Sequence, residues 1–125
     1  HVEVTPVPFE KLTETRKGES SFEIRKRVTS AREIQTKRFE ELENVHYNAQ
    51  MSSKLVREYC NLELDSLELL KNAMEKLNLS ARAYDRILKV SRTIADLSES
   101  ECIRTEHLAE AIQYRSLDKN NWSLN

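Results

Sequence analysis

From residue 20 onward, apolar residues recur three and four positions apart, the spacing of helices that each bury one face. Over residues 20 to about 44, Ile24, Val28, Ala31, Ile34, Phe39 and Leu42 fall within one arc of a helical wheel, while Arg25, Glu33, Thr36, Lys37 and Glu40 lie opposite. Ser20 or Ser21 reads as the N-cap of this helix, with Glu23 at capping-box distance from Ser20. Residues 44–53 read as a loop, after which Ser52 or Ser53 caps a short helix ending at Tyr59. A third helix over 64–77 has Leu67, Leu70, Met74 and Leu77 as its inner row. Ser80 caps a fourth, running to about residue 97, with two adjoining apolar rows: Ala83, Ile87, Val90, Ile94 and Leu97, then Tyr84, Leu88, Ser91 and Ala95. A face that wide predicts the central helix, touching several neighbours, and its small residues permit close approach. Thr105 reads as the cap of the last helix, with Leu108, Ala111 and Ile112 inward and His107 in the first turn at the surface.

Residues 1–9 follow a different rule, alternating polar with apolar and β-branched residues. Pro6 and Pro8 hold the residues before them extended and lack ladder donors, so this is a strand tail or edge whose pairing partners lie elsewhere. The expected fold class is all-α, a bundle of about four to five helices preceded by an extended strand remnant. The expected organisation is a strand remnant and linker over 1–19, cut from a larger protein after a sheet-containing domain, a helical domain over 20–118, and a frayed tail over 119–125.

Composition narrows the chemistry. Gly18 is the only glycine in 125 residues, so a phosphate loop, which needs two at fixed spacing, and a dinucleotide fingerprint, which needs three, are excluded within this chain. Cys60, Cys102, His1, His46 and His107 show no metal-ligand spacing, so no metal site is expected, and two cysteines make no disulfide framework. Both thiols read as reduced in a cytoplasmic protein, and no apolar run approaches the ~18 residues that cross a bilayer. Glu40, Glu41 and Glu43 read as solvated surface, and no serine sits on a strand–turn–helix elbow, so no catalytic residue is assigned.

The net charge of −1 hides a basic block, since residues 16–39 carry +5 and residues 40–79 carry −4. Arg25, Arg32, Lys37 and Arg38, with Arg16, Lys17, Lys26 and Arg27, form that block and are candidates for contact with a nucleic-acid backbone. Arg25, Arg27 and Arg32 spread round the wheel and Glu19, Glu23 and Glu33 interrupt them, so a solvated helix or a subunit interface takes precedence. A sharper constellation is the run 79–86, LSARAYDR. Arg82 falls in the first turn after the cap, where its guanidinium can reach past the helix end to pair with phosphate oxygens in the positive potential of the N-terminus. Arg86 lies one turn further along the same edge. On position alone, a surface arginine without a ligand is the simpler reading.

Several stretches together resemble the C-terminal part of the magnesium-chelatase-like AAA+ ATPases, in the branch of competence proteins. His1–Glu10 with Lys11 and Leu12 is similar to the last strand of that family's ATPase core and its exit, and residues 18–35 to its first lid helix. The most specific portions are 79–97, LSARAYDRILKVSRTIADL, and 107–117, HLAEAIQYRSL. The resemblance implies a helical lid that closes over ATP and Mg bound in a preceding core, with Arg82 at the sensor-2 position and Arg86 as a second candidate. It also implies a homo-oligomeric ring, a hexamer, working on DNA in competence and recombination. The Walker segments would lie in the core, so the chain alone is expected to hold no cofactor and to be no enzyme, although the full-length protein is an ATPase on this reading. The expected partners are the core, other ring subunits and DNA, with no membrane. The alternative is a free-standing helical module that binds nucleic acid through residues 16–39.

Overall fold

Serines open three of the helices. In a computed structural model of the chain, the backbone is described for residues 20–123 and side chains for residues 20–115. The extended segment expected over 1–19 lies outside the described residues. Ser20 Oγ accepts the Glu23 N–H at 3.1 Å and starts α1, Ser21–Arg38. Ser52 Oγ accepts from Leu55 at 3.3 Å to start α2, Ser53–Tyr59, and Ser80 Oγ accepts from Ala83 at 3.2 Å to start α4, Ala81–Leu97. Each serine satisfies an amide with no partner inside its helix. Between α2 and α4 lies α3, Leu64–Leu77, which ends on Asn78 in the left-handed region at φ 53°. The last helix, α5, spans Thr105–Ser123.

Among the described residues the fold is all-helical, with five α-helices and a 3₁₀ turn at Asn48–Gln50 inside the expected loop. The central helix is α4, as its wide apolar face predicts: it packs most extensively on α5 and also touches α1, α2 and the 3₁₀ turn, while α3 packs on α5. Its buried stripe runs through Ala83, Ile87, Leu88, Ser91 and Ala95. Val90, expected inward, lies at the stripe's margin and is 38% exposed. Phe39, Val56, Leu70, Ile87, Ile103 and Leu108 fill the core, and Phe39 meets Tyr59 edge to face at 5.5 Å. A lone parallel bridge between Leu62 and Ile103 ties the α2–α3 link to the α4–α5 link.

Two elements differ from the sequence expectation. Helix α1 ends at Arg38, about six residues early. The Phe39 N–H donates to Gln35 O and the Glu40 N–H to Lys37 O, the chain tightens, and Asn44 turns it at φ 67°. This turn sinks the Phe39 ring into the core and brings Asn48 back against α1 and α4. At α5 the chain is capped through Arg104, whose N–H donates to His107 Nδ1 at 2.9 Å. His107 thereby does what the glutamate of a capping box does, and folding its ring back buries it instead of leaving it at the surface.

Candidate functional site

The first turn of α4 holds Arg82, two residues after the Ser80 cap, and this side chain is exposed. Among the described residues Arg82 makes no hydrogen bond or ion pair. Asp85, the nearest acid in sequence, accepts instead from the Ser53 hydroxyl at the start of α2. No acidic residue sits in the first turn of α4. A cation there faces like-signed potential from the helix, at a cost of about 0.3–1 kcal/mol, and the same potential strengthens any anion it captures. The guanidinium presents its fork of donors to solvent, a geometry suited to two phosphate oxygens.

Arg86, one turn along, is also exposed and shares that helix edge. It is engaged by a neighbour within the fold and borders a groove of about 400 Å³ with Ala49, Lys89 and Val90. The structure thus brings Arg82 and Arg86 to one edge and leaves Arg82 the freer of the two.

The basic block divides. Arg25, Arg32 and Lys37 are exposed on α1 and form no ion pair among the described residues. Arg38 leaves the set of nucleic-acid candidates. Its Nη1 and Nη2 donate to Asp96 Oδ2 and Oδ1 at 2.8 Å each, and Nη1 also reaches Asn48 Oδ1 at 2.9 Å. A guanidinium whose two outer nitrogens are turned inward onto a buried carboxylate has nothing to offer a surface phosphate.

Around Asp96 lies a polar network that the sequence reading missed. Asn48 Nδ2 donates to Asp96 Oδ2 at 2.9 Å and to Thr93 Oγ1 at 3.0 Å, and Gln35 Oε1 accepts the Asn48 N–H at 2.9 Å. Arg92 Nη2 lies 3.3 Å from Asp96 Oδ1, and its two outer nitrogens donate to the carbonyls of Ser100 and Glu101. Burial lowers the Arg92 guanidinium from its ordinary value while Asp96 opposes that shift. Burial likewise pushes the nearby Cys60 thiol up to about 11, against the pull of Arg92 and Arg38 towards the thiolate. With Asp96 1% exposed and held by two guanidiniums, the network clasps α1, the 3₁₀ turn and α4 together. One signal was legible: Arg92 and Asp96 lie four apart on the side of α4 that faces the bundle. Nothing local marks Asn48 or Gln35.

Among the described residues no group of three His, Cys, Asp or Glu side chains is placed to hold a metal. Both cysteines are free thiols, Cys60 buried and Cys102 exposed. No described helix is long and apolar enough to cross a membrane.

A module that is all-helical among the described residues, with a central helix that offers an exposed arginine at its N-terminus, is the class these features define. Residues 18–115 match the family model described as magnesium chelatase, subunit ChlI C-terminal, and the chain belongs to that family. It is 43% identical over 102 residues to the protein YifB of Escherichia coli, covering 82% of this chain and 19% of that protein. It is also 43% identical over 117 residues to the competence protein ComM of Haemophilus influenzae, covering 93% of this chain and 22% of that one. An uncharacterised Mycobacterium tuberculosis protein is 31% identical over 98 residues, 78% of this chain and 19% of its own length. The chain therefore spans about a fifth of the length of the curated relatives it matches.

Proposed function

We propose that this chain is the C-terminal lid of a magnesium-chelatase-like AAA+ ATPase, and that Arg82 is its sensor-2 arginine, with Arg86 in support. In this reading Arg82 pairs with the terminal phosphates of ATP, bound with Mg²⁺ in a preceding core of the same polypeptide. The observation that carries it is that Arg82, at the N-terminus of the central helix, is exposed and has no partner among the described residues. Pairing is strong while the γ-phosphate is present and weakens when hydrolysis removes its charge, so the equilibrium between closed and open lid shifts with nucleotide state. Because α4 packs against α1, α2 and α5, a pull on Arg82 moves the bundle as one piece. One surface of that bundle would then pass the change to the next subunit of a homo-oligomeric ring, a hexamer. For the full-length protein the reading extends to ATP-driven work on DNA in competence and recombination, in the cytoplasm. That the Haemophilus influenzae relative is a competence protein supports the competence part of this extension.

The test is ATP hydrolysis by the full-length protein carrying Arg82→Ala. Loss of a hydrogen-bonded charge at the phosphates predicts a fall of roughly tenfold or more, with assembly unchanged. Normal hydrolysis together with normal assembly would remove the sensor assignment.

A further inference from the structure

Helix α1 stands partly clear of the bundle, since every residue from Ser21 to Arg27 is exposed and its first buried position is Ala31. Residues three, four and seven apart share a helix face, which places Arg25, Thr29, Arg32 and Thr36 in one row. Phe22, Lys26, Glu33 and Lys37 occupy the row beside it, and all eight residues are exposed. Arg27, by contrast, is engaged by a neighbour within the fold. The cations that a wheel alone scatters are thus sorted by the tertiary structure: Arg38 turns in to Asp96, Arg27 is occupied, and Arg25, Lys26, Arg32 and Lys37 share the solvent side. None of these four forms an ion pair among the described residues, and Glu33 is the one acid among the eight.

We infer that this outward face of α1 is a contact surface for the phosphate backbone of nucleic acid, read without base specificity. The occupant follows from what the face lacks. The centre of a protein–protein interface is depleted of charge and enriched in apolar and aromatic groups, whereas this face carries four cations, two hydroxyls and only Phe22 as an apolar residue. That composition matches backbone recognition, in which cations and hydroxyls contact phosphate oxygens. From Arg25 to Lys37 the helix rises about 18 Å, enough to run beside about five phosphates of one strand. The inference does not depend on Arg82, because it needs neither ATP nor a core domain.

The experiment is fluorescence anisotropy of a labelled duplex of about 20 base pairs with the 125-residue chain, without ATP, from about 20 to 200 mM salt. Four neutralised phosphates predict a log–log salt slope of about −3.6, and each single Arg25→Gln, Lys26→Gln, Arg32→Gln or Lys37→Gln change reduces its magnitude by about 0.9. The fourfold variant, checked for an unchanged circular dichroism spectrum, loses binding, whereas Lys71→Gln on the exposed side of α3 does not. No binding at about 20 mM salt with about 100 µM protein overturns the inference. Binding retained by the fourfold variant also overturns it, as does self-association of the chain, abolished by that variant, in place of duplex binding.

Discussion

The two ends of α4 hold arginines in opposite circumstances. At its start Arg82 is exposed, unpaired among the described residues, and set against the helix's own potential. Near its end Arg92 is 6% exposed, pairs with Asp96 and donates to two carbonyls. There Arg38 arrives from α1 to grip the same carboxylate. The guanidinium is the same group in each case, and its surroundings decide whether it fastens the fold or stays open to a ligand. The buried end is rigid because removal of one partner strands the others away from water. The exposed end leaves its donors unpaired, which is what capture of an anion requires.

The comparison is broken most severely by Asp96→Ala, which strands Arg38 and Arg92. A loss of about 3–5 kcal/mol is expected, read from urea unfolding of the chain. Smaller and confined to alkaline conditions is the effect of Cys60, packed beside the same clasp. Burial raises its folded value from the ordinary 9.0 to about 11, so its contribution is fully present below pH 9 and is lost as pH rises towards 11. Wild type should therefore lose about 2–3 kcal/mol more than Cys60→Val between those limits, and equal slopes for the two would reject the shift. At the open end, Ser80→Ala removes the cap and costs about 1 kcal/mol. Least of all, Arg82→Ala should leave the thermal midpoint unchanged or slightly raised, since it deletes a cation from a helix N-terminus. A clear drop in the midpoint would show Arg82 to be structural and erase the contrast between the two ends.

Much of the fold was legible because its signals are local. The serine at each of three helix starts acts within three residues, and the apolar spacing of α3 and α4 lies within single helices. Helix α1 was overextended because nothing between Phe39 and Asn44 forbids a helix: the stop comes from burial of Phe39 and from contacts to residues up to 58 positions away. His107 was misplaced for a related reason, since its ring bonds Arg104 locally but its burial depends on the packing of α5. The spacing that singled out Arg82 also says that it lies near a helix start. It says nothing about which acids are within reach, and only the pairing of Asp85 with Ser53 answers that.

The sequence by itself determined a helical bundle over the described residues, the three serine caps, the central role of α4 and the position of Arg82 in its first turn. Periodicity and capping act over three or four residues, within the reach of local reading. Only the tertiary structure decided which charges are spoken for. Arg38, Asn48 and Asp96 are scattered along the chain and meet because apolar packing brings α1, the 3₁₀ turn and α4 together. The cations left over on α1, and Arg82 at the far end of α4, are the ones that packing did not use.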